Sequence, residues 1–271
     1  MKQVKRILAL CNDYAQCDAV LAKSAEIAKR HEVGLTVLFV AEEALFELPF
    51  FRSNDMLDRE KIRHEVLHKL EKLGVDNAAV FVYENDTVDR TALEAEREKD
   101  ALIVTHFSEG ITEKLVEKTT TPVLVLKAHS HVYAQAVVAV DTVPNEQCLR
   151  YLKEVFTGVT LTLYQDFQYV PVSTTVDPAF EPYDVGMDAT LFAELMEARR
   201  EAFEIFCKEK GLIGRFEVGE NGIDEDTVQF AQRAEADLLV VAAMDKDTML
   251  GDATGDILEK SPVDVLVCFE R

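Results

Sequence analysis

Short runs rich in Val, Ile, Leu and Ala alternate with longer helix-patterned segments along the whole chain, and the alternation is written twice. In the first half the apolar runs lie near residues 5–11, 34–41, 77–83, 101–105 and 122–127, with helical segments near 16–31, 55–73, 88–98 and 110–118. In the second half the runs lie near 136–141, 158–164, 214–218, 237–243 and 263–269. Strands that alternate with helices require right-handed crossovers and pair in parallel. The expected fold is α/β: two tandem doubly wound parallel sheets of five strands, order 3-2-1-4-5 in each, related by a pseudo-twofold.

The repetition is plainest towards the end of each half. Asp100-Ala-Leu-Ile-Val-Thr105 matches Asp237-Leu-Leu-Val-Val-Ala242, and Pro122-Val-Leu-Val-Leu126 matches Asp264-Val-Leu-Val-Cys268. Each half is therefore one domain-sized unit. The polar stretch Lys127–Tyr133, with His129 and His131, marks the join, giving units 1–128 and 134–271.

The formal charge is −21, from 50 acidic and 29 basic side chains. Such a surface repels nucleic acid and anionic membrane, so neither is expected as a partner. Cys11, Cys17, Cys148, Cys207 and Cys268 are odd in number and scattered, which points to free thiols in a reducing compartment. The opening MKQVKRILALC has too short an apolar core for a signal peptide and reads as a first strand. No apolar run approaches bilayer length, so a cytoplasmic location is expected.

One local motif suggests a different chemistry. His64-Glu-Val-Leu-His68 fits H-E-x-x-H, the helical zinc signature of metallopeptidases. At about 100° per residue, however, Ile62, Val66, Leu70 and Leu73 form the apolar stripe, and His64 and His68 point away from it. A catalytic zinc needs its ligands aimed into a dry cleft with a third protein ligand. Glu84 is the third ligand by count alone. The motif reads as a solvated helix face, so no metal site is expected and His64 and His68 are weak candidates only.

In an open parallel sheet, ligands bind beyond the carboxyl ends of the strands, where the strand order reverses. The segments to inspect are Cys11-Asn12-Asp13 and Thr105–Gly110 in the first half, and Val140-Asp141-Thr142 and Ala242–Asp256 in the second. The chain lacks G-x-x-x-x-G-K-[ST], G-x-S-x-G and G-x-G-x-x-G. His106 follows a strand without an evident nucleophile beside it, and no catalytic residue is assigned.

The first runs end in Asn12-Asp13 and Val140-Asp141. The closing units run from ADLLVV (Ala236–Val241) to SPVDVLV (Ser261–Val267), and from DALIV to ITEKLVEKTTTPVLVLK (Ile111–Lys127). This ordered set, present twice, resembles the tandem universal stress proteins over nearly the whole chain. The resemblance implies a stress-response protein. It also implies a comparison with the ATP motif of many members: G-x-x-G, nine residues, then G-S or G-T. Glycines there let backbone N–H groups approach the phosphates at a helix start, while an acidic residue ending the first strand serves the ribose or adenine side.

This chain departs from that motif in both halves. In the first, Thr105 and Ser108 stand at the glycine positions, and the loop to Ile111 is too short for a phosphate cradle. In the second, Ala242 and Asp245 align with the glycines. Counting forward then reaches Gly255-Asp256, and counting back from the last strand reaches Gly251-Asp252. Either way an aspartate replaces the hydroxyl residue. Asp245, Asp247, Asp252 and Asp256 crowd the segment with only Lys246 opposing them, and like charges at contact cost about 1 to 4 kcal/mol each at water-like to surface-like dielectric. The candidate nucleotide set is therefore Asp141, Ala242, Asp245, Gly251, Gly255 and Asp256, in a degenerate site.

Two inserts, Leu45–Arg52 and Gln165–Met187, carry aromatic residues and emerge where a ligand would sit. Large aromatics are usually buried, which favours their folding back over their own domain. The expectation is a non-enzymatic stress-response protein without a cofactor, acting on an unidentified protein partner or a small hydrophobic ligand. The last strands of the halves are expected to pair within the chain, leaving a homodimer open. The alternatives are an ATP- and magnesium-binding switch or weak ATPase in the second half, with Asp245 or Asp256 on the metal, and a zinc hydrolase through His64 and His68.

Overall fold

A computed structural model describes residues 4–12, 16–41, 59–97, 100–127, 132–141, 145–168, 189–244 and 246–269. The first half contains β1 (Arg6–Cys11), α1 (Cys17–His31), β2 (Gly34–Ala41), α2 (Arg59–Lys72), β3 (Ala78–Glu84), α3 (Thr87–Arg97), β4 (Ala101–His106), α4 (Thr112–Lys118) and β5 (Val123–Leu126). The second contains β6 (Gln135–Val140), α5 (Glu146–Val155), β7 (Thr160–Phe167), α6 (Ala189–Lys210), β8 (Ile213–Val218), α7 (Ile223–Arg233), β9 (Leu238–Ala243), α8 (Met249–Asp252), α9 (Thr254–Lys260) and β10 (Asp264–Phe269).

Each half has the expected strand order, but the halves do not form separate sheets. The strands make one ten-stranded sheet, ordered β3-β2-β1-β4-β5-β10-β9-β6-β7-β8. The join is antiparallel, with Val123, Leu124 and Val125 facing Val267, Leu266 and Val265. Those six side chains are buried. An apolar edge left open would be a template for aggregation, so pairing the two edges removes both liabilities. All other strand pairs are parallel.

Successive strand residues point to opposite faces, and both faces are covered. Ile7, Ala9, Val138 and Val240 meet α1, α2, α5 and α6 through residues such as Leu21, Leu70, Leu152 and Phe203. Leu8, Leu10, Val137 and Val241 meet the remaining helices through Ala95, Leu115, Val228, Leu250 and Ile257. Fully burying one Leu or Val side chain contributes about 1.5–3 kcal/mol. On α2, Val66 and Leu70 are buried while His64 and His68 are exposed, as the helical period requires. Glu84 pairs with Arg59 at 3.1 Å.

Buried Asp264 fastens the link between the halves. Its carboxylate accepts the Lys127 backbone N–H and the Tyr133 hydroxyl, each at 2.7 Å. Burial, reinforced by that carboxylate, pushes the Tyr133 pKa far up, so its hydroxyl stays a donor. The Lys127 ammonium donates to the carbonyls of Leu258 and Glu259 in the last turn of α9, where a cation suits the helix dipole. Among the described residues no helix is long and apolar enough to cross a membrane.

Candidate functional site

The carboxyl ends of β6 and β7, with the segment after β9, border a cavity of about 290 Å³. The strand order reverses at β6, so this is the switch point where open α/β sheets bind ligands. Much of the wall is apolar: Val140, Tyr164, Phe167, Ile223, Met249 and Leu250. Asp141, Asp166, Gln168, Arg199 and Thr248 supply polar groups. Tyr164 stacks on Phe230 at 4.3 Å between ring centroids, which fixes one wall.

Asp141 follows directly after β6, as the sequence places it, but its carboxylate is turned inward on the protein. Oδ2 accepts the Met244 N–H at 2.8 Å and the Thr248 hydroxyl at 3.0 Å. The Leu250 N–H also donates to this carboxylate. Burial pushes the Asp141 pKa up, and the three hydrogen bonds oppose the shift. The nearby Gly251 N–H is taken by Thr248 Oγ1 at 3.1 Å, and the Asp252 N–H by the Thr248 carbonyl at 2.8 Å. The backbone donors that would have to receive a phosphate are thus bonded within the protein, those of Met244 and Leu250 ending on an internal carboxylate.

Asp166 lies deeper along β7 and is less well satisfied. Gln168 Nε2 donates to Oδ2 at 2.8 Å, while Oδ1 is buried without a hydrogen-bond partner. Burial raises its pKa to about 6, the Gln168 bond opposes the shift, and Asp226 and Glu217 add to it. Gly219 permits this geometry: a Cβ there would stand 2.6 Å from Asp166 Oδ1. Asp226 is itself occupied, accepting the N–H groups of Glu220 and Asn221 at 3.0 Å each.

The other nucleotide candidates are not gathered around Asp141. Ala242 is fully buried within β9. Gly251 and Gly255 line a different cavity, of about 270 Å³, against Glu113 and Glu117 of the first half. Asp256 is exposed, in the first turn of α9. Lys246 donates to the Glu117 carbonyl and lies 5.5 Å over the Phe269 ring. Asp245 lies outside the described residues, as do Asp13, residues 42–58 and residues 169–188. In the first half, Thr105 Oγ1 is held against the Leu10 carbonyl at 3.4 Å, and the Ser108 N–H donates to Thr112 Oγ1 at 2.8 Å. Among the described residues no group of three His, Cys, Asp or Glu side chains is placed to hold a metal ion.

Sequence reasoning missed Tyr164 and Asp166 as site residues, and took Phe167 only as an aromatic of the second insert. It ended the strand at Tyr164 and assigned Gln165–Phe167 to the insert, whereas β7 continues to Phe167. The available signal was an aspartate set among aromatic residues at a strand end.

No protein-family model matches the chain, and no curated protein does. Solved structures do. A functionally unknown protein from Pseudomonas aeruginosa superposes with TM-score 0.68 and 18% identity, over 99% of this chain and 94% of its own. A putative universal stress protein from the same species gives 0.67 and 17%, over 99% and 94%. A universal stress protein from Archaeoglobus fulgidus gives 0.65 and 18%, over 99% and 97%. The chain has the universal stress protein fold, twice over. In that fold the cavity at Asp141 lies at the carboxyl ends of the second unit's strands, and the first unit presents its corresponding end around Cys11 and Asn12.

Proposed function

We propose that the chain is a non-enzymatic stress-response protein whose second unit holds one small, uncharged, largely apolar molecule. Asp166 carries this reading: it is a half-buried residue that lines a cavity with much apolar wall, and its Oδ1 is buried without a hydrogen-bond partner. A buried polar atom without a partner costs about 1–3 kcal/mol, which a ligand offering one hydrogen bond recovers. The cavity, at about 290 Å³, is at the small end of ligand pockets and suits a single ring system. The internal use of the Met244, Leu250 and Gly251 N–H groups argues against a triphosphate.

Mass spectrometry of the supernatant after denaturing freshly purified protein tests the proposal. The expected result is a small neutral compound near one per chain, absent from the Tyr164→Ala protein. Calorimetry with ATP, with and without magnesium, should give no saturable heat at micromolar concentrations. Micromolar binding that requires magnesium and is lost in Asp256→Ala would replace this reading with the nucleotide switch.

A further inference from the structure

We propose that Cys11 and Cys17 are a redox pair that closes to a reversible intramolecular disulfide when the protein meets a peroxide. Cys11 ends β1 and Cys17 opens α1, so the pair spans the start of the ligand-facing edge of the first unit. Their sulfur atoms are 2.7 Å apart. That is well inside the contact distance of two non-bonded sulfurs and about 0.7 Å beyond a disulfide bond. The two sulfurs therefore need little further approach to bond.

The surroundings act on the two thiols in opposing directions. Both thiols are buried, but their chain neighbours Asn12 and Gln16 are only half-buried, so the pair lies just beneath the surface. The positive end of the 15-residue helix α1 is at Cys17, and such a position favours negative charge on sulfur. The hydrogen bond with Cys17 and burial push the Cys11 thiol up, while Lys69, paired with Asp18 at 2.6 Å, acts in the opposite direction. One thiolate attacks a peroxide oxygen, releasing hydroxide and forming a sulfenic acid. The second sulfur attacks the first and expels another hydroxide. The two thiol protons turn both hydroxides into water, so the pair loses two electrons and one hydrogen peroxide becomes two waters.

The test is direct because trypsin releases Ile7–Lys23 as one peptide carrying both cysteines. Reduced protein is treated with hydrogen peroxide, quenched, denatured, alkylated and mapped by mass spectrometry. The expected peptide lacks both alkyl groups and is lighter by two hydrogens, and dithiothreitol restores both alkylation sites. Cys148→Ser should keep this behaviour, and Cys17→Ser should lose it. The wild-type map stands alone if Cys17→Ser fails to fold. Both cysteines alkylated after peroxide, or one carried to sulfinic acid without the cross-link, overturns the proposal.

Discussion

The two units share a fold but finish their ligand-facing ends differently. By strand register, Leu38, Phe39 and Val40 in the first unit stand where the second has Tyr164, Gln165 and Asp166. Val40 fills its position with buried carbon, whereas Asp166 brings a carboxyl oxygen without a partner. After the first strand, Asn12 in one unit corresponds to Asp141 in the other, and only Asp141 gathers the N–H groups of the following segment. The described residues at this end of the first unit are packed carbon and two adjacent thiols. The second unit carries a hydrogen-bonded web beside its cavity.

The sharpest way to break this contrast is to cut the same depth from both units. Tyr164→Ala should cost about 3–5 kcal/mol in urea unfolding and abolish ligand retention, while Leu38→Ala should cost about 2–5 kcal/mol and leave retention intact. Loss of retention in both would mean that the cavity is not the site. Next in size, Asp141→Ala should cost about 1.5–3 kcal/mol, because it strands several donors, whereas Asn12→Ala should stay within about 0.5 kcal/mol. The same Asp141→Ala protein should also bind ATP more tightly than wild type by calorimetry, since its backbone donors are freed.

A smaller effect depends on pH. Asp166 titrates near 6 in the folded protein, chiefly because it is buried, against about 3.9 in an unfolded chain. Between these values the folded state holds the extra proton, so stability falls as pH rises from about 4 to about 6, and the deficit persists above. Asp166→Asn should therefore gain about 1 kcal/mol at pH 8, discounted for partial exposure, and nothing at pH 4. Smallest of all are the ion pairs Lys118–Asp89 and Lys260–Asp224, one in each unit. Lys118→Met and Lys260→Met should leave the melting temperature unchanged at moderate salt, since exposed pairs contribute little.

The strands were legible because runs such as Leu35–Val40 and Leu238–Ala243 can be buried only between two layers of helices. The solvent-facing histidines of α2 were legible for the same reason of period. Asp141 could be placed at a strand end, but its partners could not, because Met244, Thr248 and Leu250 lie more than 100 residues away in sequence. Gly251 and Gly255 look like a phosphate loop in one dimension. In three they face Glu113 and Glu117 across the join, a proximity created by the β5–β10 pairing that no local pattern encodes.

That pairing has a genetic consequence. When two identical subunits meet along such a seam, each codon change is imposed on both sides at once. Encoding the two units in tandem lifts that obligation: one site can drift to carbon and sulfur while its twin keeps a buried acid, and the shared backbone continues to hold both. The two ends of one continuous sheet can then diverge independently.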